Sequence, residues 1–255
     1  MVRPILGRAL PMAGLDVGRL GRTIRGAPRF VGQFRRFRAE SRKAGLPVPE
    51  IRDLFPVIGE DGEAAGGYDA HYLHQDFWAA RRLYENRPAQ HVDISSRVDG
   101  FITSVLVFCP VTMVDLRPFP AELPGLTFRR GDATRLPFDD SSVRSISSLH
   151  AMEHFGLGRY GDRLNPGGTL QVLGELARVA APGGRVYLGL PVGRTRVMFN
   201  AHRVLAPSLV LEAVGPLRLV SFAAVNDGGE FRPDADPLDF EGASYSCGLF
   251  ELTKH

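Results

Sequence analysis

HVDISSRVDGFITSVLVFCPVTMVDL, residues 91–116, packs three elements into one short stretch. His91–Ile94 reads as a strand, Gly100–Phe108 has helical spacing, and Val111–Asp115 reads as a second strand. Strand, helix, strand in that order is a crossover unit, and a crossover makes its two strands parallel. The rhythm continues outward. It predicts strands over Leu126–Arg129, Val143–Leu149, Arg185–Leu190, Leu217–Val225 and Tyr245–Leu252. It predicts helices over Gly168–Ala181, with Leu170, Leu173, Ala177 and Ala180 on one stripe, and over Pro207–Val214. The fold class expected is α/β, a doubly wound and mostly parallel sheet covered on both faces.

Upstream of residue 88 the pattern is helical. Residues 70–86 form an expected helix with Leu73, Phe77, Ala80 and Tyr84 on one face. Pro28 suits a first helical position. Phe30, Phe34 and Phe37 then recur at helical spacing among Arg35, Arg36, Arg38 and Arg42, and Gly45, Pro47 and Pro49 end that helix. Residues 1–27 show no clear period, and 56–68 read as a glycine-rich loop. The division expected is a basic N-terminal arm and linker over 1–69, and an α/β domain over 70–255.

The chain has 255 residues and a net charge of +3. Residues 1–43 hold 11 basic and 2 acidic side chains, and the remainder holds 20 and 26. A +9 arm is thus attached to a body of −6. Hydrophobic residues make up 44% and charged residues 23%, which excludes global disorder. The longest apolar run, Phe101 to Val114, is interrupted by Thr103, Ser104, Pro110 and Thr112 and is too short to span a bilayer. Cys109 and Cys247 are too few for a disulfide framework or a zinc site. No segment has the order of a secretory signal, so a cytoplasmic setting is expected.

In an open parallel sheet, ligands bind beyond the carboxyl ends of the strands at the switch point of strand order. Three successive strand ends carry an aspartate: Asp93, Asp115 and Asp132. Asp115 follows Asp93 by 22 positions, near the ~20-residue offset at which a carboxylate reaches ribose hydroxyls. Any one of them is as readily a turn or cap residue. Three in succession favour a nucleoside ligand. His150-x-x-x-His154 has helical metal spacing, but no third ligand stands at a recognisable offset, so no metal is expected.

These residues carry a family resemblance. Asp93 and Asp115 at strand ends, Gly131-Asp132-Ala133-Thr134-Arg135-Leu136-Pro137-Phe138, Leu149-His150-Ala151-Met152-Glu153-His154, and Arg178-Val179-Ala180-Ala181-Pro182-Gly183-Gly184-Arg185 resemble class I S-adenosylmethionine-dependent methyltransferases over roughly residues 88–252. More narrowly, His74-Gln75-Asp76-Phe77-Trp78, Arg97-Val98-Asp99-Gly100, Gly156-Leu157-Gly158-Arg159-Tyr160-Gly161-Asp162 and Phe199-Asn200-Ala201-His202-Arg203 resemble a little-characterised methyltransferase-like domain of unknown function. The resemblance implies a Rossmann-like methyltransferase fold with an antiparallel last strand and an N-terminal helical extension. It implies S-adenosylmethionine as cofactor. Asp93, Ser95, Ser96 and Gly100 would lie near its methionine part, and Asp115 on the ribose. Asp132 and Ala133 would face the adenine, and His150 would flank it.

The sequence departs from that family at the turn after the first strand. Its usual glycine positions hold Ser95, Arg97 and Asp99, and only Gly100 is near. Either Arg97 turns outward or the pocket prefers an anion. His154 and His202 are the candidate catalytic bases; the alternative is that each braces a loop. The function expected is methyl transfer to a small-molecule or glycan-like acceptor, with cell-envelope polysaccharide synthesis as the setting the resemblance implies. The competing reading is a non-catalytic module binding a nucleoside or nucleotide-sugar. An NAD-type dehydrogenase is disfavoured by the missing glycine fingerprint. The arginine-flanked Phe stripe over residues 28–43 suits either an anionic membrane surface or packing on protein. Nucleic acid is disfavoured by the acidic body.

Overall fold

The computed structural model describes residues 17–58 and 67–255. The expected loop at 56–68 therefore lies largely outside the described residues, as does most of the aperiodic start. The chain divides into two compact units that meet at Gly67 and Tyr68. The first contains helix α1, Val17–Ala44, followed by a short 3-10 turn at Ile51–Asp53. Pro28 lies inside α1 rather than at its first position. Its fixed φ is compatible with helix, and continuing through it forfeits one N–H bond. Lys43 and Arg42 close the helix, where cations favour its dipole.

The second unit opens with α2, Ala70–Asn86, as predicted. Asp69 caps it by accepting from the backbone of His71 and Tyr72 at 2.9 and 3.3 Å. The buried face is the one carrying Gln75, Trp78, Ala79 and Leu83. The stripe expected from hydrophobicity points the other way: Leu73, Phe77 and Tyr84 are 48%, 69% and 56% exposed. Packing of a polar side chain explains the reversal. A Cβ on Gly189 would sit 2.3 Å from Gln75 Oε1, so the missing side chain there admits Gln75 against the sheet.

The strands then follow in order: β1 His91–Ile94, β2 Val111–Asp115, β3 Leu126–Arg130, β4 Val143–Leu149 and β5 Ala180–Val192. After them come β6 Arg196–Met198, β7 His202–Val204, β8 Leu217–Val225, β9 Phe231–Arg232 and β10 Ser246–Lys254. Helices α3, Thr103–Leu106, α4, Gly168–Val179, and α5, Pro207–Ala213, fall between them. A π-helical turn at Val98–Ile102 leads into α3, so the predicted helix at Gly100–Phe108 begins two residues early and in a wider coil. The predicted helix to Ala181 stops at Val179, because Ala180 already pairs with Val143. Pro182 and Gly183, at φ +69°, interrupt that pairing before Arg185 resumes it opposite Ser145.

The main sheet runs β3-β2-β1-β4-β5-β10-β8-β9. Strands β3, β2, β1, β4 and β5 are mutually parallel. As expected, β10 is antiparallel, and it is inserted between β5 and β8. Strands β6 and β7 form a separate hairpin, so His202 lies on a short strand rather than in a loop. Each face carries its own core. Val186, Leu188 and Leu190 pack with Val172, Leu173 and Leu176 of α4 on one face. Tyr187 packs with Trp78, Ala79 and Leu83 of α2 on the other. Leu170, expected on the buried stripe of α4, is 42% exposed.

Between β1 and β4, where strand order reverses, lies a buried polar chain. Asp93 accepts from Ser96 N, Ser96 Oγ and Ser147 Oγ at 2.9, 2.6 and 2.5 Å. His91 bridges Ser147 Oγ and Ser145 Oγ, both at 2.8 Å. Burial lowers the His91 pKa to about 3, so its ring is neutral. Burial raises the Asp93 pKa to about 6 against the pull of its three donors. An unfolded aspartate titrates near ~3.9. The folded chain therefore holds an extra proton between those values, and the stability it brings is full below about pH 4 and lost as pH rises through about 6. Asp93→Asn should abolish that slope. Melting curves from pH 4 to 7 should show the wild type losing on the order of 2–3 kcal/mol relative to the variant; parallel curves would assign Asp93 an ordinary pKa.

Candidate functional site

A cleft with about 770 Å³ of free space, part of it open solvent, lies at the carboxyl ends of β1, β2 and β4. That is the switch point at which this sheet topology places ligands. Of the residues expected there, Ser95, Asp115, Ala133, His150 and His154 line it. Four others do not.

Asp93 is fully buried behind the cleft, where it fixes the turn through Ser96. Ser96 is buried with it and accepts from Leu149 N at 2.9 Å. Gly100 faces α2: a Cβ there would lie 2.1 Å from Asp76 Oδ2, so its open side is filled by a side chain of α2 rather than by a ligand. Asp132 is an exposed cap whose Oδ1 accepts from Thr134 N and Oγ1 at 2.9 and 2.7 Å. In each case a protein neighbour has taken the polar group or the space.

The glycine-poor turn is built around Ser95, which sits at φ +60° in the left-handed region. Its N–H and Oγ both donate to Val114 O, at 3.0 and 3.2 Å, which ties the turn to β2. Arg97 is on the cleft wall, yet its charge is matched. It donates to Asp99 at 2.7 and 3.1 Å and lies 4.7 Å over the Tyr72 ring.

Asp115, at the end of β2, is 5% exposed. Oδ1 accepts from Arg117 N at 2.8 Å and Nε at 3.1 Å, and Oδ2 accepts from Nη2 at 3.0 Å. The Arg117 guanidinium in turn lies 4.3 Å over the ring of Tyr160. Sequence reasoning missed Arg117, and Asp-x-Arg spacing has no motif to reveal it. Tyr160 belongs to the glycine-rich segment after β4. Asp162 organises that segment by accepting from Gly156, Gly158 and Tyr160 backbone N–H groups at 2.7, 3.3 and 3.2 Å. Burial opposes the Asp162 charge, but those donors outweigh it and hold the pKa below the usual carboxylate value.

A side cavity with about 530 Å³ of free space, part of it open solvent, adjoins the cleft and shares Tyr72, His150, His154 and Tyr160 with it. Asp69, His71, Glu153, Arg159, His202 and Tyr245 complete its polar wall. His154 donates from Nδ1 to Ala201 O at 2.6 Å, which leaves a lone pair on Nε2. Burial lowers its pKa to about 4. The neighbouring Glu153 carboxyl, 2% exposed and 3.7 Å from Nε2, is raised by burial to about 8 and is protonated at neutral pH. The two are thus a neutral acid beside a neutral base. His202 Nε2 has no hydrogen-bond partner among the described residues, and burial lowers its pKa. His150 is held at φ +47° with Nδ1 2.7 Å from Gln75 Oε1, and burial brings its pKa to about 3. His74 stacks on Phe231 at 5.1 Å.

Comparison with solved structures decides the fold. A Galdieria sulphuraria protein assigned as a sarcosine dimethylglycine methyltransferase is similar at a TM-score of 0.50 and 16% identity, over 71% of this chain and 86% of that one. The fold is that of the class I methyltransferases. The [4+2]-cyclase SpnF matches equally well, with a TM-score of 0.50 and 12% identity over 70% of this chain and 80% of its own. The N-methyltransferase NodS of Bradyrhizobium japonicum, solved with S-adenosylhomocysteine, matches with a TM-score of 0.49 and 12% identity over 72% and 87%. The family described as Caenorhabditis protein of unknown function, DUF268, matches residues 139–214. No curated protein matches the sequence.

Arg203 ties down the segment after β4 at Phe155, which lines the cleft. Arg203 is 5% exposed and donates to Phe155 O, Thr169 Oγ1, Asn165 O and Pro166 O at 2.6 to 3.3 Å. Arg203→Met should remove the bonds to Phe155 O, Thr169 Oγ1, Asn165 O and Pro166 O together and cost about 3 kcal/mol. Hydrogen exchange should then show the Gly156–Gly161 segment opening while β4 and β5 stay protected; unchanged exchange would mean the segment is held elsewhere.

Proposed function

We propose that this chain is an S-adenosylmethionine-dependent methyltransferase acting on a small-molecule or glycan-like acceptor. The observation that carries the reading is the buried Asp115 carboxylate on the wall of the switch-point cleft. A carboxylate there suits two vicinal ribose hydroxyls. Ribose would replace the side-chain bonds of the half-exposed Arg117 and leave its backbone N–H on Oδ1. Gly131 and Ala133 border the part of the cleft an adenine would take, and the Ser95 turn would bring backbone close to the ligand. The cofactor, when bound, supplies an electrophilic methyl group.

The acceptor would enter the side cavity, whose His, Tyr and Glu walls suit a hydroxylated molecule. His154 borders both cavities, and its Nε2 lone pair can take the acceptor proton. His202 is positioned to orient the acceptor from the far wall. One observation favours the non-catalytic alternative. Arg97 and Arg117 both stand on the cleft wall, where a phosphate would fit better than a sulfonium.

Calorimetric titration separates the two. S-adenosylhomocysteine should bind the full chain, Asp115→Ala should weaken it by about 100-fold (~3 kcal/mol), and Asp132→Ala should leave it unchanged. A folded chain that binds no S-adenosylhomocysteine at millimolar concentration but binds a nucleoside diphosphate would establish the alternative.

For residues 28–43 we propose contact with an anionic membrane surface. Among the described residues no helix is long and apolar enough to cross a membrane. Within the first unit, Phe30, Phe34, Phe37, Leu54 and Phe55 border one open groove beside Arg36, and Phe37 and Phe55 are 60% and 86% exposed. Aromatic side chains flanked by arginine suit an interface of acyl chains and anionic headgroups. The doubly substituted Phe37→Glu, Phe55→Glu chain should no longer sediment with phosphatidylglycerol vesicles. Equal partitioning of variant and wild type would remove the membrane contact.

A further inference from the structure

Three soft donor side chains converge beside the cleft from three different elements. His71 stands in the first turn of α2, His150 follows β4, and Cys247 lies on β10. Each offers one ligand atom, and these atoms all lie within 4.8 Å of one another. The sequence gives no spacing motif for this set, since its members are 79 and 97 positions apart.

Their other bonds leave metal-binding capacity free. Gln75 Nε2 donates to Asp76 Oδ1 at 3.1 Å, which turns Gln75 Oε1 toward His150. That oxygen, 2.7 Å from His150 Nδ1, takes the ring proton there. The lone pair is left on Nε2, which is buried and has no hydrogen-bond partner. Cys247 is fully buried, and its Sγ lies 3.9 Å from the Nδ1 edge of the same ring, so sharing one ion with Nε2 requires the imidazole to turn toward the thiolate. The His71 ring is held between Tyr245, stacked at 5.3 Å, and His150, edge-on at 5.5 Å. A buried carboxamide that fixes the tautomer of a histidine is the kind of support metal-ligating imidazoles receive.

We propose that His71, His150 and Cys247 bind one zinc ion. Two imidazoles and a thiolate form a borderline-soft set that magnesium and calcium disfavour. Three protein ligands leave the fourth tetrahedral position to water or an incoming oxygen. No methionine lines the side cavity, so the axial thioether common in electron-transfer copper sites is missing among the described residues. Binding forms a Zn–S bond and releases the Cys247 thiol proton to buffer. Zinc binding needs no bound nucleoside, although His71 and His150 also line the side cavity assigned to the acceptor.

The test uses the full chain stripped with chelator and reloaded with Zn²⁺ or Co²⁺. After dialysis, elemental analysis should find one zinc per chain. The cobalt form should show a thiolate-to-cobalt charge-transfer band in the near ultraviolet with the intense visible bands of tetrahedral cobalt. Cys247→Ser should lose the charge-transfer band and His71→Ala should lose zinc at equimolar metal, each with the circular dichroism of the folded chain. Gln75→Leu should keep the band and weaken zinc by about 10- to 100-fold, as outer-shell partners typically do. His71 is only partly buried, so its variant carries the test if Cys247→Ser fails to fold. A folded wild-type chain that holds no zinc, or a Cys247→Ser chain that keeps the charge-transfer band, would overturn the proposal.

Discussion

Asp93 is a fully buried carboxylate with no cation against it. Water is replaced by three hydrogen bonds, two from Ser96 and one from Ser147. Ser147 belongs to β4 and Ser96 to the turn after β1, so one side chain joins two neighbouring strands to the loop that borders the cleft. The chain of donors extends in both directions. Leu149 N–H feeds Ser96 Oγ, and His91 links Ser147 to Ser145. Every member is satisfied, which is the condition under which a buried polar network specifies one arrangement. The β1–β4 junction is where strand order reverses, so the geometry of the cleft floor depends on this network.

This explains which parts of the site were legible in the sequence. Strand ends were visible from periodicity, and the three aspartates were correctly placed at them. Their roles were not visible, because role depends on partners distant in the chain. Asp93 meets Ser147, 54 positions away, and becomes an internal brace. Asp132 meets Thr134, a local partner, and becomes a cap. Asp115 remains on the cleft wall. The face of α2 was misread for the same reason. Apolar spacing pointed to Leu73 and Phe77, while the space left by Gly189 selects Gln75.

The most family-like stretches turn out to be scaffold. Arg178 donates to Phe138 O, Leu136 O and Asp140, and it pairs with Glu175, whose carboxylate accepts from Leu136 N. The Leu136–Asp140 segment and the helix that ends before Pro182 are thus one clamp. It holds the loop after β3 in place, and Ala133 with it. Such a clamp is needed for any ligand of this fold and chooses none. That is why these stretches identify the fold and say little of the acceptor.

The choice of reaction must then lie in what varies around the clamp. A methyltransferase and a [4+2]-cyclase share this fold at equal likeness, so the sheet itself does not select the chemistry. In this chain the distinctive chemistry is in the side cavity. Its His71, His150, Glu153, His154 and His202 come from α2, the segment after β4, and β7, and burial keeps all five side chains on the neutral side of their usual titration. A cluster of neutral imidazoles and a protonated carboxyl has lone pairs and one acidic proton but little net charge. It can exchange a proton with a hydroxylated molecule, or give its lone pairs to a metal, without first neutralising a buried charge.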